Sequence, residues 1–140
     1  MIAYVDSSVL LRMVLGQAGK LTEWKMIEHG ISSVLIEVEC LRTLDRFRVA
    51  HGMSDREVAT RRSAIYRVLD ELDLVAITPS VLARASQPMP VSLGTLDAIH
   101  IVTALLWREQ TEQALVMATH DGDLGRAAAA FGFTVIGIGQ

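Results

Sequence analysis

The sequence is poor in several residue types that other functions need. It has a single cysteine, Cys40, so no internal disulfide can form, which fits a reducing compartment. The four histidines, His29, His51, His100 and His120, lack zinc-ligand spacing and have no cysteine pair to join. Only two lysines occur, Lys20 and Lys25, and aromatic residues make up 5% of the chain. So few aromatics argue against a base-stacking platform, and Trp24 and Trp107 read as core or interface residues. No apolar run approaches a membrane span: the longest, 98–107, is short and broken by His100 and Thr103. The N-terminus carries Asp6 inside its apolar part and no basic leader, so no signal peptide is expected. Gly16 and Gly30 stand alone, and no lysine follows Gly122 or Gly125, so there is no phosphate-cradling glycine loop and a nucleoside-triphosphate enzyme is not expected.

What is present is apolar: 51% of 140 residues, with a mean hydropathy of +0.35. That suits one domain, 1–140, with a well-buried sheet, an oligomer interface, or both. The net charge of −3 disfavours a nonspecific nucleic-acid coat. The positive charge is nevertheless concentrated. Seven of the thirteen basic residues are arginines in one segment: Arg42, Arg46, Arg48, Arg56, Arg61, Arg62 and Arg67. Guanidinium forks suit phosphate, although the interspersed acids Asp45, Asp55, Glu57 and Asp70 would equally make a solvated helix pair.

Apolar runs at 2–5, 74–77 and 114–118 read as core strands, with 134–138 a fourth and 31–33 a short fifth. Helical patterns fall at 7–15, 21–29 ending at Gly30, and 34–51 ending at Gly52. Ser54-Asp55-Arg56-Glu57 is a capping box that opens a helix to about residue 72. Thr95 caps a helix through about residue 109, and 121–131 is alanine-rich. Residues 87–92, with Pro88 and Pro90, read as a loop. Strands alternating with helices predict a three-layer α/β/α fold around a mostly parallel sheet.

Sites in such sheets form at the carboxyl ends of strands. Asp6 falls just past the first strand, Asp121 just past a late one, and Asp97 in the first turn of the 95–109 helix. Each also has a local explanation, because aspartate is favoured at helix starts. Glu39 flanks the apolar stripe Ile36, Cys40, Thr43, Phe47 and Ala50, and a half-buried glutamate needs a partner. Arg42 or Arg46 would supply a salt bridge; the alternative is a metal ion, with the arginines free for phosphate. Glu37 lies about 160° round the wheel at about 100° per residue and cannot share that site. Four carboxylates in one pocket repel unless a cation joins them, and Mg²⁺ or Mn²⁺ suits oxygen ligands and phosphodiester hydrolysis.

Taken in order, the segments YVDSSVLL, Glu39-Cys40-Leu41-Arg42-Thr43-Leu44, Leu96-Asp97-Ala98-Ile99-His100 and Thr119-His120-Asp121 resemble the PIN domain. In size and layout the chain is similar to the VapC-type toxins of toxin–antitoxin pairs. The resemblance covers essentially the whole chain. It implies a Mg²⁺- or Mn²⁺-dependent endoribonuclease with Asp6, Glu39, Asp97 and Asp121 as its acids. Ser7 or Ser8, together with Thr119, would orient water or the acids. It further implies a cytoplasmic homodimer, an RNA substrate of the tRNA or rRNA class, and inhibition by a VapB-type antitoxin gripping the arginine-bearing helix pair. Of the two acids after Thr119, Asp121 directly follows the strand end, whereas Asp123 is the first-turn helix acid. His100, one turn after Asp97, is expected to pack or hydrogen-bond near the site.

Two other classes compete. An aspartyl-phosphate phosphatase wants a second aspartate at position 8, which is serine, and both it and a response-regulator-like receiver want a late lysine, whereas the only lysines are Lys20 and Lys25. A non-catalytic PIN-like scaffold binding RNA or a protein would be expected to lose some of the four acids, and all are present.

Overall fold

A computed structural model describes residues 1–139. Its elements run β1 (Ile2–Val5), α1 (Ser7–Val14), β2 (His29–Ser33), α2 (Leu35–His51), α3 (Asp55–Glu71), β3 (Leu72–Val75), α4 (Pro79–Ala85), α5 (Thr95–Thr111), β4 (Val116–Ala118), α6 (Gly122–Ala130) and β5 (Thr134–Ile136). The five strands form one sheet in the order β3-β2-β1-β4-β5, and every pairing is parallel. Six helices flank the sheet, giving the three-layer α/β/α architecture expected from the alternation of elements.

The two faces of β1 follow its two-residue period. Tyr4 belongs to the core shared with Ile101 and Leu105 of α5 and Leu124 and Ala127 of α6. Ala3 and Val5 face the opposite way, with Val9 of α1 and Leu21. A further core, built on Leu10, Ile36, Cys40, Leu44, Ile65 and Leu69, ties α1, α2 and α3 together. Ile36, Leu44 and Ile65 are at most 2% exposed, so truncating any one to alanine costs about 2–5 kcal/mol.

The helix start expected at Ser54 is realised through the N-cap half of the capping box: Ser54 Oγ accepts the Glu57 backbone N–H at 3.1 Å. Other expectations need correction. Residues 21–29 do not form a helix; a single 3-10 turn, Trp24–Met26, leads directly into β2. The winning interaction is the sheet. Glu28 N–H donates to the Met1 carbonyl at 2.9 Å, and Gly30 pairs with Ala3. Gly30 is a close-approach glycine rather than a helix cap, since a Cβ there would lie 2.6 Å from Leu72 Cδ2. β3 begins at Leu72, two residues before the expected start, because α3 runs straight into it. Helix α4 was not expected, although its signature is present: Thr78 Oγ1 accepts Val81 N–H at 3.2 Å and Pro79 opens the first turn. Gly94, not Thr95, is the N-cap of α5. Among the described residues no helix is long and apolar enough to cross a membrane.

Candidate functional site

The strand order reverses between β1 and β4, the sheet's switch point, where parallel sheets open a crevice at their carboxyl edge. Asp6 follows β1 and Asp121 follows β4. Both are N-caps, of α1 and α6, so the local explanation for each is correct and does not compete with their shared location.

Asp6 is 5% exposed. Its Oδ2 accepts from Ser8 Oγ at 2.6 Å, Thr119 Oγ1 at 2.9 Å and, more weakly, Ser8 N–H at 3.4 Å. Thr119 Oγ1 accepts in turn from Asp121 N–H at 3.0 Å, and Ser8 Oγ accepts from His120 N–H at 2.9 Å. Thr119 and Ser8 thus stitch the ends of β1 and β4 into one network. Ser7 is not in that network and lies on a cavity wall described below. Asp121 Oδ1 accepts from Asp123 N–H at 2.9 Å and Leu124 N–H at 3.4 Å. Asp123 points elsewhere: it is exposed and paired with Arg126.

Glu39 comes from the second turn of α2. Its Oε1 lies 2.6 Å from His100 Nε2, and His100 Nδ1 lies 2.5 Å from the Tyr4 hydroxyl. This corrects the arginine salt bridge weighed for Glu39. Arg42 pairs with Asp45, and Arg46 donates to Thr43 Oγ1 at 3.0 Å. The bonding role expected of His100 is present, but Tyr4 as its second partner was missed. Its only sequence signal was an aromatic hydroxyl in a strand otherwise wholly apolar.

Asp97, in the first turn of α5, shows that the acids share one field. Its carboxyl is held above the usual carboxylate range by partial burial, then by the charges of Asp121 and Asp6, with a further push from Glu39. His100 opposes that push. Burial drives the His100 imidazolium down, but the Glu39 hydrogen bond and the charges of Glu39, Asp6 and Asp97 outweigh it and leave its pKa raised.

Among the described residues, no three His, Cys, Asp or Glu side chains are already gathered closely enough to hold a metal ion. The donor set still fits a hard divalent ion. Asp6, Glu39 and Asp121 each commit one oxygen to protein donors, and Oδ1, Oε2 and Oδ2 respectively have no hydrogen-bond donor among the described residues. Oxygen donors with one atom anchored and one free, beside an Asp97 carboxyl whose negative charge is already penalised, are what such an ion requires.

Beside Glu39 lies a cavity of about 290 Å³ walled by Ser7, Val38, Arg42, Thr43, Arg46 and Leu96. Two guanidinium groups therefore share a cavity with Glu39, and Val38 and Leu96 add exposed apolar surface.

These features define an α/β protein with an acidic site at the carboxyl edge of a parallel sheet. The PIN domain model matches residues 3–130, and the chain belongs to the PIN domain family. It is 29% identical over 136 residues to Ribonuclease VapC46 of Mycobacterium tuberculosis, a match covering 95% of both chains. The crystal structure of PAE2754 from Pyrobaculum aerophilum shares the fold, with a TM-score of 0.60 at 19% identity, over 90% of this chain and 84% of that one.

Proposed function

We propose that this protein is a Mg²⁺- or Mn²⁺-dependent endoribonuclease, the toxin of a VapC-type toxin–antitoxin module. The observation that carries the reading is the placement of Asp6 past β1 and Asp121 past β4 at the switch point, joined through Thr119, with Glu39 held by His100 of the helix whose first turn holds Asp97. The full-length similarity to a protein named as a ribonuclease supports it. Asp6, Glu39, Asp97 and Asp121 would hold the ion. When bound, it supplies Lewis acidity for attack of water on the phosphodiester phosphorus. The chain's own residues do the rest. Ser8 and Thr119 fix the Asp6 carboxylate, His100 fixes Glu39, and Arg42 and Arg46 take the phosphates flanking the scissile bond. The substrate is RNA of the tRNA or rRNA class. The partner is a VapB-type antitoxin covering the cavity lined by Arg42 and Arg46, and the toxin itself is a homodimer in the cytoplasm.

The test begins with calorimetric titration of Mn²⁺ into the antitoxin-free protein and its Asp97→Asn variant, followed by incubation of each with total tRNA and rRNA. Metal binding and divalent-dependent cleavage that Asp97→Asn abolishes are the expected results. A folded wild type that binds no Mn²⁺, with or without RNA, would make the protein a PIN-like scaffold for RNA or a protein partner.

A further inference from the structure

Asp6 and Asp121 sit at helix starts, where unpaired backbone N–H groups and nearby hydroxyls clamp them. Glu39 has no such help. It lies inside α2, past the first turn where helix N–H groups are free, and its side chain has three rotatable bonds to freeze. The donor that holds it must come from another element, and it does, through a chain of four.

We propose that Tyr4 and His100 are positioning residues that lock Glu39 so that it presents a single oxygen, Oε2, to the ion. The inference rests on the reading of Glu39 as a ligand. The chain runs from the Ser33 backbone N–H to Tyr4 Oη at 3.1 Å, from Tyr4 Oη to His100 Nδ1 at 2.5 Å, and from His100 Nε2 to Glu39 Oε1 at 2.6 Å. Its polarity is fixed at both ends, since a backbone N–H only donates and a carboxylate only accepts. With a neutral ring, Tyr4 donates to Nδ1 and the ring proton sits on Nε2, facing Glu39. Tyr4 and His100 are both wholly buried, and their rings meet edge to face with centroids 5.7 Å apart. The ring therefore has one place to stand. β2, β1, α5 and α2 each contribute one link, so the orientation of a side chain on a flanking helix is set by the sheet. Without the Tyr4 hydroxyl, Nδ1 has no donor. The ring then keeps its Nε2 proton toward Oε1 but loses the contact that fixes its angle.

Mn²⁺ affinity measured by calorimetry tests this without any RNA, on wild type and on Glu39→Gln, His100→Leu, His100→Gln and Tyr4→Phe. A urea unfolding curve of each variant shows that it is folded. His100→Leu is expected to weaken binding about 10–100-fold, the usual consequence of removing a residue that orients a metal ligand. Tyr4→Phe is expected to weaken it in the same direction but less. His100→Gln, which returns an N–H donor near the position of Nε2, is expected to recover most of the loss. Folded His100→Leu binding like wild type, while Glu39→Gln does not, overturns the positioning role and leaves the site intact. Equal weakening by His100→Leu and His100→Gln at equal stability also overturns it, because the hydrogen bond is then not the cause. Wild-type affinity in Glu39→Gln removes Glu39 from the ligands, and the site reading fails first.

Discussion

Replacing Thr119 by valine keeps the shape of a fully buried side chain and deletes one hydroxyl. That hydroxyl makes two bonds of different kinds. It donates to the Asp6 carboxylate at 2.9 Å, and a hydrogen bond to a charged group is worth about 1.5–3 kcal/mol. It accepts from the Asp121 N–H at 3.0 Å, and leaving that donor unpaired costs up to about 1–3 kcal/mol, toward the low end because the group is only partly buried. Together the loss is about 2–5 kcal/mol. Urea denaturation with EDTA present reads it directly. With a slope near 2 kcal/mol/M, a loss of 3 kcal/mol moves the midpoint down by about 1.5 M. Thr119→Ser keeps both bonds and loses only a methyl group, so its cost is about 1 kcal/mol. Ser8 donates to the same oxygen of Asp6, so Ser8→Ala combined with Thr119→Val should be non-additive, with a coupling of about 0.5–3 kcal/mol. A midpoint for Thr119→Val no lower than that of Thr119→Ser, at unchanged slope, would refute the claim that this hydroxyl ties β1 to β4.

Three further outcomes are expected. The Asp97 carboxyl is raised above its ordinary 3.8 by burial and by neighbouring acids, so its charge destabilises the metal-free fold progressively as pH rises through that window; in EDTA at pH 7, Asp97→Asn should melt higher than wild type, the gap closing as pH falls below 4, and a variant that melts lower at neutral pH would contradict this. Gly137→Ala places a Cβ 2.4 Å from the Thr119 carbonyl oxygen at a φ of +98°, a backbone clash on a left-handed residue, and should cost more than about 3 kcal/mol by urea unfolding. Burial, then the charges of Glu39 and Asp6, push the Cys40 thiol up to about 12, so native protein at pH 8 should resist a thiol reagent and react with one equivalent only on unfolding; fast native labelling would count against the packing of α2.

Much of this fold was legible in the sequence. The strand alternation, the helix capped at Ser54 and the positions of Asp6, Asp97 and Asp121 relative to elements are local properties, set by period, capping chemistry and strand ends. The failures were equally local in cause. Residues 21–29 carry a helical pattern and a glycine where a cap belongs, yet the pairing of β2 with β1 took Gly30 into the sheet, and no local signal announces a pairing with a strand some twenty-five residues away. Helix α4 had its Thr-Pro start in plain view, but it is only seven residues long and gave too little periodicity to register.

The sequence by itself determined which residue types were available and where each stood along its own element. That was enough to predict acids at the carboxyl edge of a parallel sheet. Only the tertiary structure decided which groups meet. Strand order made β1 and β4 neighbours, so that Thr119 could bond both Asp6 and Asp121. Packing of α5 against α2 gave Glu39 a histidine sixty-one residues away instead of the arginines one and two turns along its own helix. The physical reason is distance. Capping and periodicity act over three or four residues, whereas the partner of a half-buried carboxylate is whatever the closed core places beside it.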